Sequence, residues 1–138
     1  MRRQRERARR SQARAVYRTG IAEYMNSEQW QRRRMWWVGE YRRRNDGADP
    51  ACAVCDAPWA DSETGRTLDL HHRAYDNVGA EAFEDLIPMC RDHHEQLHRV
   101  LDTYPQWRTM ARRTATDALI GRLRTRWLNH QPVVQEQR

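Results

Sequence analysis

The clearest hydrophobic rhythm in the chain lies between residues 28 and 44. Trp30, Trp37, Val38 and Tyr41 recur near i, i+7, i+8 and i+11, while Arg32, Arg33, Arg42 and Arg43 fall largely off that line. Apolar residues at this spacing make one stripe and predict an amphipathic helix. Asn26 or Ser27 can cap its start, Glu28 suits its first turn, and Asn45-Asp46-Gly47 is a turn that ends it. The tryptophans are read as core packing. A second helical stretch covers 106–128, where Trp107, Ala111, Ala115, Leu119, Leu123 and Trp127 recur in steps of four. Gly121 weakens that helix without forbidding it.

In the middle of the chain the period changes. Thr67-Leu68-Asp69-Leu70 alternates as a half-buried strand does, and Asp76-Asn77-Val78-Gly79 reads as a loop. Leu86-Ile87-Pro88-Met89 is a second strand, placed at a sheet edge because Pro88 has no N–H to donate. A helix then opens at Cys90 with the run CRDHHEQLHRVL. Strand, loop, strand, helix predicts an α+β fold in which a small ββα core sits between N- and C-terminal helices.

Composition narrows this picture. A chain of 138 residues, 38% of them apolar, makes one domain with tails and only a small core, which a crosslink would help to hold. No apolar run approaches the roughly 20 residues of a membrane span, and no apolar segment follows the N-terminal arginines as in a secretory signal. The expectation is a cytoplasmic protein, not secreted and with no membrane partner. Residues 1–20 are expected to be an Arg-rich disordered arm, 21–47 a helical segment, 48–104 the core, and 105–138 a C-terminal helix with a frayed tail.

All 25 basic residues are Arg, so every cation is a planar fork suited to phosphate. Residues 1–44 hold 14 Arg against 4 acids, residues 45–104 hold 4 against 13, and residues 105–138 hold 7 against 2. An acidic centre therefore lies between two basic flanks. The flanks suit a polyanion such as DNA, and the centre needs cations of its own to approach a phosphate. Arg2, Arg3 and Arg5 in the arm are candidate phosphate contacts.

The centre also holds the metal-ligand residue types. Cys52, Cys55 and Cys90 are too few for a disulfide framework, and Cys52-x-x-Cys55 with Cys90-x-x-His93 offers four N/S ligands, as tetrahedral zinc requires. Such a site would fold the domain and perform no chemistry. A second set is His71, His72, His94 and His98. On a helix His94 and His98 are i and i+4, so both imidazoles can hold one ion. Adjacent His71 and His72 on a strand point to opposite sides, so one can join that ion while the other is free to act as a base.

Here the residues resemble a known family. The stretch LDLHHRAYDNVGAEAFEDLIPMCRDHHEQLH is similar to HNH endonucleases, the ββα-metal nucleases, in their zinc-knuckle branch found in phage and bacterial genomes. The similarity runs from Cys52 to about His98, and Tyr24, Ser27 and Trp30 resemble a signature that often precedes the knuckle in phage members. The resemblance implies that His72 is the general base, and that His71, His94 and His98 hold one catalytic divalent ion (Mg2+, Mn2+, Ni2+ or Zn2+). Cys52, Cys55, Cys90 and His93 would hold structural zinc. Asp85 falls where the family has an Asn that holds the loop and orients the base, and His93 falls where the knuckle often has a fourth Cys.

The resemblance further implies hydrolysis of DNA phosphodiesters to 5′-phosphate and 3′-hydroxyl ends, with Arg73 beside the base as a phosphate contact. Binding is expected to run through phosphates, with any sequence specificity supplied by a phage or bacterial protein partner, since no separate reading domain is visible. The competing reading is a zinc-stabilised nucleic-acid-binding module without nuclease activity.

Overall fold

The computed structural model describes residues 2–9 and 20–131. They form an α+β fold with six helices and one two-stranded antiparallel sheet. The helices are α1 (residues 2–9), α2 (Ile21–Met25), α3 (Glu28–Arg44), α4 (Arg91–Thr103), α5 (Pro105–Arg108) and α6 (Arg112–Asn129). Strands β1 (Asp69–His72) and β2 (Leu86–Met89) pair with Leu70 opposite Pro88 and His71 opposite Ile87. Among the described residues no helix is long and apolar enough to cross a membrane.

Helix α3 forms where its stripe predicts. Ser27 caps it by accepting from the Trp30 N–H at 3.2 Å, Trp30, Trp37 and Val38 are buried, and Asn45 closes it before Gly47 at φ 83°. The buried tryptophans join Leu70, Met89, Leu97 and Leu101 in a single core. Helix α3 also grips the loop between the strands. The Trp37 indole donates to the Phe83 carbonyl at 3.0 Å and stacks on the Phe83 ring, while Gln29 donates to Gly79 at 3.3 Å. Gly79 takes φ 92°, a left-handed conformation that costs glycine nothing.

The segment before β1 forms a tight knuckle. Asp56 N–H donates to the Cys52 carbonyl and Cys52 N–H to the Ala57 carbonyl, with Asp56 itself at φ 59°. The Ala53 N–H donates to the Pro88 carbonyl at 2.9 Å, which fastens the knuckle to β2. Pro88 thus accepts on a strand where it cannot donate, consistent with its edge position.

Two expectations need correction. Residues 2–9 of the expected disordered arm are helical, and Arg9 donates to the Ala80 carbonyl from Nε and Nη2 at 3.3 and 3.2 Å. Arg9 ties the end of that helix to the loop between the strands. Residues 10–19, expected to belong to the same arm, and 132–138 of the expected tail lie outside the described residues. The single helix expected over 106–128 is two helices, α5 and α6, parted at Thr109–Ala111. Steps of four overrun a 3.6-residue turn by about 40° each, so an unbroken stripe from 107 to 127 would wind about 200° around the helix. The break resets the rotation. Trp107 stays buried on α5, Ala115, Leu119 and Leu123 are buried on α6, and Ala111 becomes the exposed cap between them.

Candidate metal centres and active site

Helix α4 begins at the junction of two ligand clusters, because residues one apart on a helix project about 100° apart. Cys90 and His93 turn to the knuckle, and His94 and His98 turn to β1.

In the first cluster Cys52, Cys55, Cys90 and His93 bring one ligand atom each within 4.8 Å of one another. Cys55 Sγ is 3.8 Å from Cys90 Sγ, and Cys90 Sγ is 3.2 Å from His93 Nδ1. Tetrahedral zinc with its usual bond lengths would set two sulfurs about 3.8 Å apart. All three cysteines are free thiols. Burial, followed by the charges of Cys52 and Cys55, pushes Cys90 up to about 12, so three thiolates this close need a cation among them. The donor set fits a metal such as zinc, with the knuckle giving one pair and the start of α4 the other.

In the second cluster His71, His94 and His98 converge likewise within 4.8 Å. The ring centre of His71 lies 5.2 Å from that of His94 and 5.0 Å from that of His98. Nε2 of His94 and Nε2 of His98 face each other at 3.1 Å. Asp69 Oδ2 is 2.9 Å from His94 Nδ1, which places the hydrogen on Nδ1 and leaves the Nε2 lone pair toward the cluster. His71 Nδ1 is buried with no hydrogen-bond partner, and burial, then His94 and His98, hold the ring down to about 2, so it stays neutral. Burial likewise lowers His98. Three imidazoles this close, one of them with an orphaned ring nitrogen, fit a divalent ion of the kind that imidazole binds.

His72, the next residue on β1, faces the other way. Its ring stacks on Trp30 with centres 4.9 Å apart, and its Nε2 lies 2.7 Å from Glu81 Oε2. Glu81 is 2% exposed, and the Tyr24 hydroxyl sits 2.8 and 2.9 Å from its two oxygens. Arg33 Nε is 3.8 Å away from the same carboxylate. An ionised carboxylate only accepts, so His72 Nε2 carries the hydrogen and Nδ1 keeps the lone pair. Burial, and then Glu81, hold Tyr24 well above the ordinary phenol range, so its hydroxyl remains a donor.

No family model, curated protein or solved structure matches this chain.

The remaining candidate residues are placed as follows. Asp85 accepts from the Ala82 N–H at 2.7 Å, from Asn77 at 3.1 Å and from Arg113 at 2.6 Å. These contacts brace the loop between the strands, and the side chain within hydrogen-bond distance of His72 is Glu81. Arg73 Nε lies 3.2 Å from Asp117 on α6 as an ion pair, without a hydrogen bond of good geometry. Arg2, Arg3 and Arg5 are exposed on α1, and Arg2, Arg5 and Arg9 border a cleft shared with Asp76 and Asn77.

Two partners were missed by sequence reasoning. Asp69 carried a signal, since it lies two residues before His71 and so shares its strand face. Glu81 carried one only through the resemblance, where it matches the family block in a loop-shaping role; its pairing with His72 comes from the folded loop.

Proposed function

We propose that the chain is a metal-dependent HNH-type endonuclease that hydrolyses DNA phosphodiester bonds. The observation that carries this reading is the pairing of two neighbours on β1 with separate surroundings. His71 closes a three-imidazole cluster, while His72 is bound at Nε2 by Glu81. The order β1, loop, β2, α4 and the Cys/His knuckle beside it agree with the family that the sequence resembles.

In this reading His71, His94 and His98 hold one divalent ion and the knuckle holds structural zinc. The catalytic ion, when bound, supplies Lewis-acid stabilisation of the scissile phosphate and the leaving oxygen. His72 accepts the attacking water's proton at Nδ1 as the water oxygen bonds to phosphorus. Glu81 holds the resulting imidazolium through Nε2, and the Tyr24 hydroxyl and Arg33 lie against the same carboxylate. The P–O bond to the 3′-oxygen breaks, that oxygen takes a proton from solvent water, His72 returns its own proton to solvent, and the ends are a 5′-phosphate and a 3′-hydroxyl. The Arg-rich flanks bind the duplex through its phosphates, and a phage or bacterial protein supplies any sequence choice in the cytoplasm of the host.

The test is supercoiled plasmid incubated with the purified chain. Conversion to nicked or linear product, lost with EDTA and restored by Mn2+ or Ni2+, is expected. A zinc-containing, folded protein that leaves plasmid intact with every divalent ion tried would reduce the reading to a nucleic-acid-binding module.

A further inference from the structure

Helix α6 lies outside the ββα unit, yet its first residue reaches the three-histidine cluster. Arg112 Nη2 is 3.4 Å from His98 Nδ1, and the guanidinium carbon stands 5.5 Å from the centre of the Tyr75 ring. The Tyr75 ring in turn stacks 6.2 Å from His72. Arg112 therefore spans the space between the two sides of the site, with His98 on one flank and the His72 side on the other.

The donors of Arg112 are poorly used. Its Nε is buried without a hydrogen-bond partner, and Nη1 lies 3.3 Å from Asp102, whose side chain is largely exposed. Nη2 has only the long approach to His98 Nδ1 at 3.4 Å. The position offers a forked cation beside the three imidazoles, and the species that satisfies such a fork is an oxyanion with two free oxygens.

We propose that Arg112 is the phosphate-gripping residue of the site, binding non-bridging oxygens of the phosphate group seated at the His71–His94–His98 cluster. This rests on the reading of that cluster as the ion site. It gives α6 a function: the C-terminal helix completes the site by delivering a cation that the core lacks. It also accounts for a site in an acidic centre, where Arg113 is held by Asp85.

The experiment titrates inorganic phosphate into the full-length, Co2+-loaded protein by calorimetry, with Co2+ occupancy read from absorption. Arg112→Ala is expected to load Co2+ as wild type does and to bind phosphate about tenfold more weakly, or worse. Arg112→Lys keeps a point charge but loses the fork and should fall between the two. Asp102→Asn should bind phosphate as wild type. Failure of the loaded wild type to bind phosphate, or equal binding by Arg112→Ala, overturns the proposal. Should Arg112→Ala not fold, wild-type affinity in Arg112→Lys overturns it instead. Plasmid cleavage separates the two readings. Phosphate bound through Arg112 with plasmid left uncut removes the nuclease and keeps the anion site. Cleavage with kcat and KM unchanged in Arg112→Ala removes the proposal and keeps the nuclease.

Discussion

His72 Nε2 and Glu81 Oε2 lie 2.7 Å apart in a buried pair, under the Trp30 ring on one side and the Tyr24 hydroxyl on the other. The contact fixes which imidazole nitrogen can act as a base. Glu81→Gln preserves the shape of the pair but removes the charge that would hold an imidazolium. It should lower kcat about 100-fold with KM and folding little changed. Glu81→Ala should in addition cost about 1–3 kcal/mol of stability, because two buried donors lose their acceptor. Steady-state kinetics with thermal melts decide it, and a Gln variant as fast as wild type would leave Glu81 a packing residue.

Asp69 stands behind His94 as Glu81 stands behind His72. The hydrogen bond from His94 holds the Asp69 carboxyl below its usual range, and Arg34 and Arg91 add to that. A carboxylate on the far nitrogen orients the ring and raises its basicity as a ligand. Asp69→Asn should weaken divalent-ion binding about 10- to 100-fold while the protein melts near the wild-type temperature. Calorimetric titration with Ni2+ reads the affinity directly. No change would show that the bond to Asp69 does not tune the ligand.

Much of this arrangement was legible in the chain, and the parts that were not share a cause. The α3 stripe, the Ser27 cap, the two strands and the two Cys/His spacings depend on neighbours a few residues away, which periodicity reports. Glu81 reaches His72 only because Gly79 turns left-handed and α3 clamps the loop at Gly79 and Phe83. Arg112 reaches His98 only because the helix breaks at Thr109–Ala111 and restarts at a new rotation. Arg9 reaches Ala80 across 71 residues. Such contacts are set by tertiary packing and leave no local spacing to read.

The knuckle ties together segments that are 35 residues apart at Cys55 and Cys90, with a short two-stranded sheet between them. A core this small depends on that link. Cys52→Ala should release zinc and lower the melting temperature by about 10 °C or more, since binding of a structural metal is itself folding free energy. Zinc content by elemental analysis and a thermal melt test this together. A variant that keeps its zinc and melts like wild type would remove Cys52 from the ligand set.

Helix α1 sets an electrostatic test. It carries Arg2, Arg3, Arg5, Arg7 and Arg9 and leans on the core through Arg9. If these side chains contact DNA phosphates, each contact releases counterions and steepens the salt dependence of binding by about 0.9 in the log–log slope. Deleting residues 2–9 should flatten that slope by about 2–4 while leaving metal content unchanged. Binding measured between low and moderate salt gives the slope. An unchanged slope would place the arm off the DNA.

The sharpest separation is between the adjacent histidines of β1. His71 packs against His94 and His98, and its orphaned Nδ1 has no other partner, so His71→Ala removes a candidate ligand. His72 packs on Trp30 and is bound to Glu81, so His72→Ala removes a candidate base and leaves the three-imidazole cluster whole. Two failures of different kind should follow. His72→Ala should take up the catalytic ion as wild type does, bind DNA, and cleave at least about 100-fold more slowly at every ion concentration. His71→Ala should bind the ion about tenfold or more weakly and regain part of its activity as the ion is raised, because two imidazoles on α4 remain. Alternation along the strand is what allows neighbours to be assigned separately. Titrating metal into both variants while following cleavage tells them apart. Should His72→Ala lose the ion and His71→Ala keep it, the two roles are exchanged, and should both cut at the wild-type rate, the chemistry lies elsewhere in the molecule.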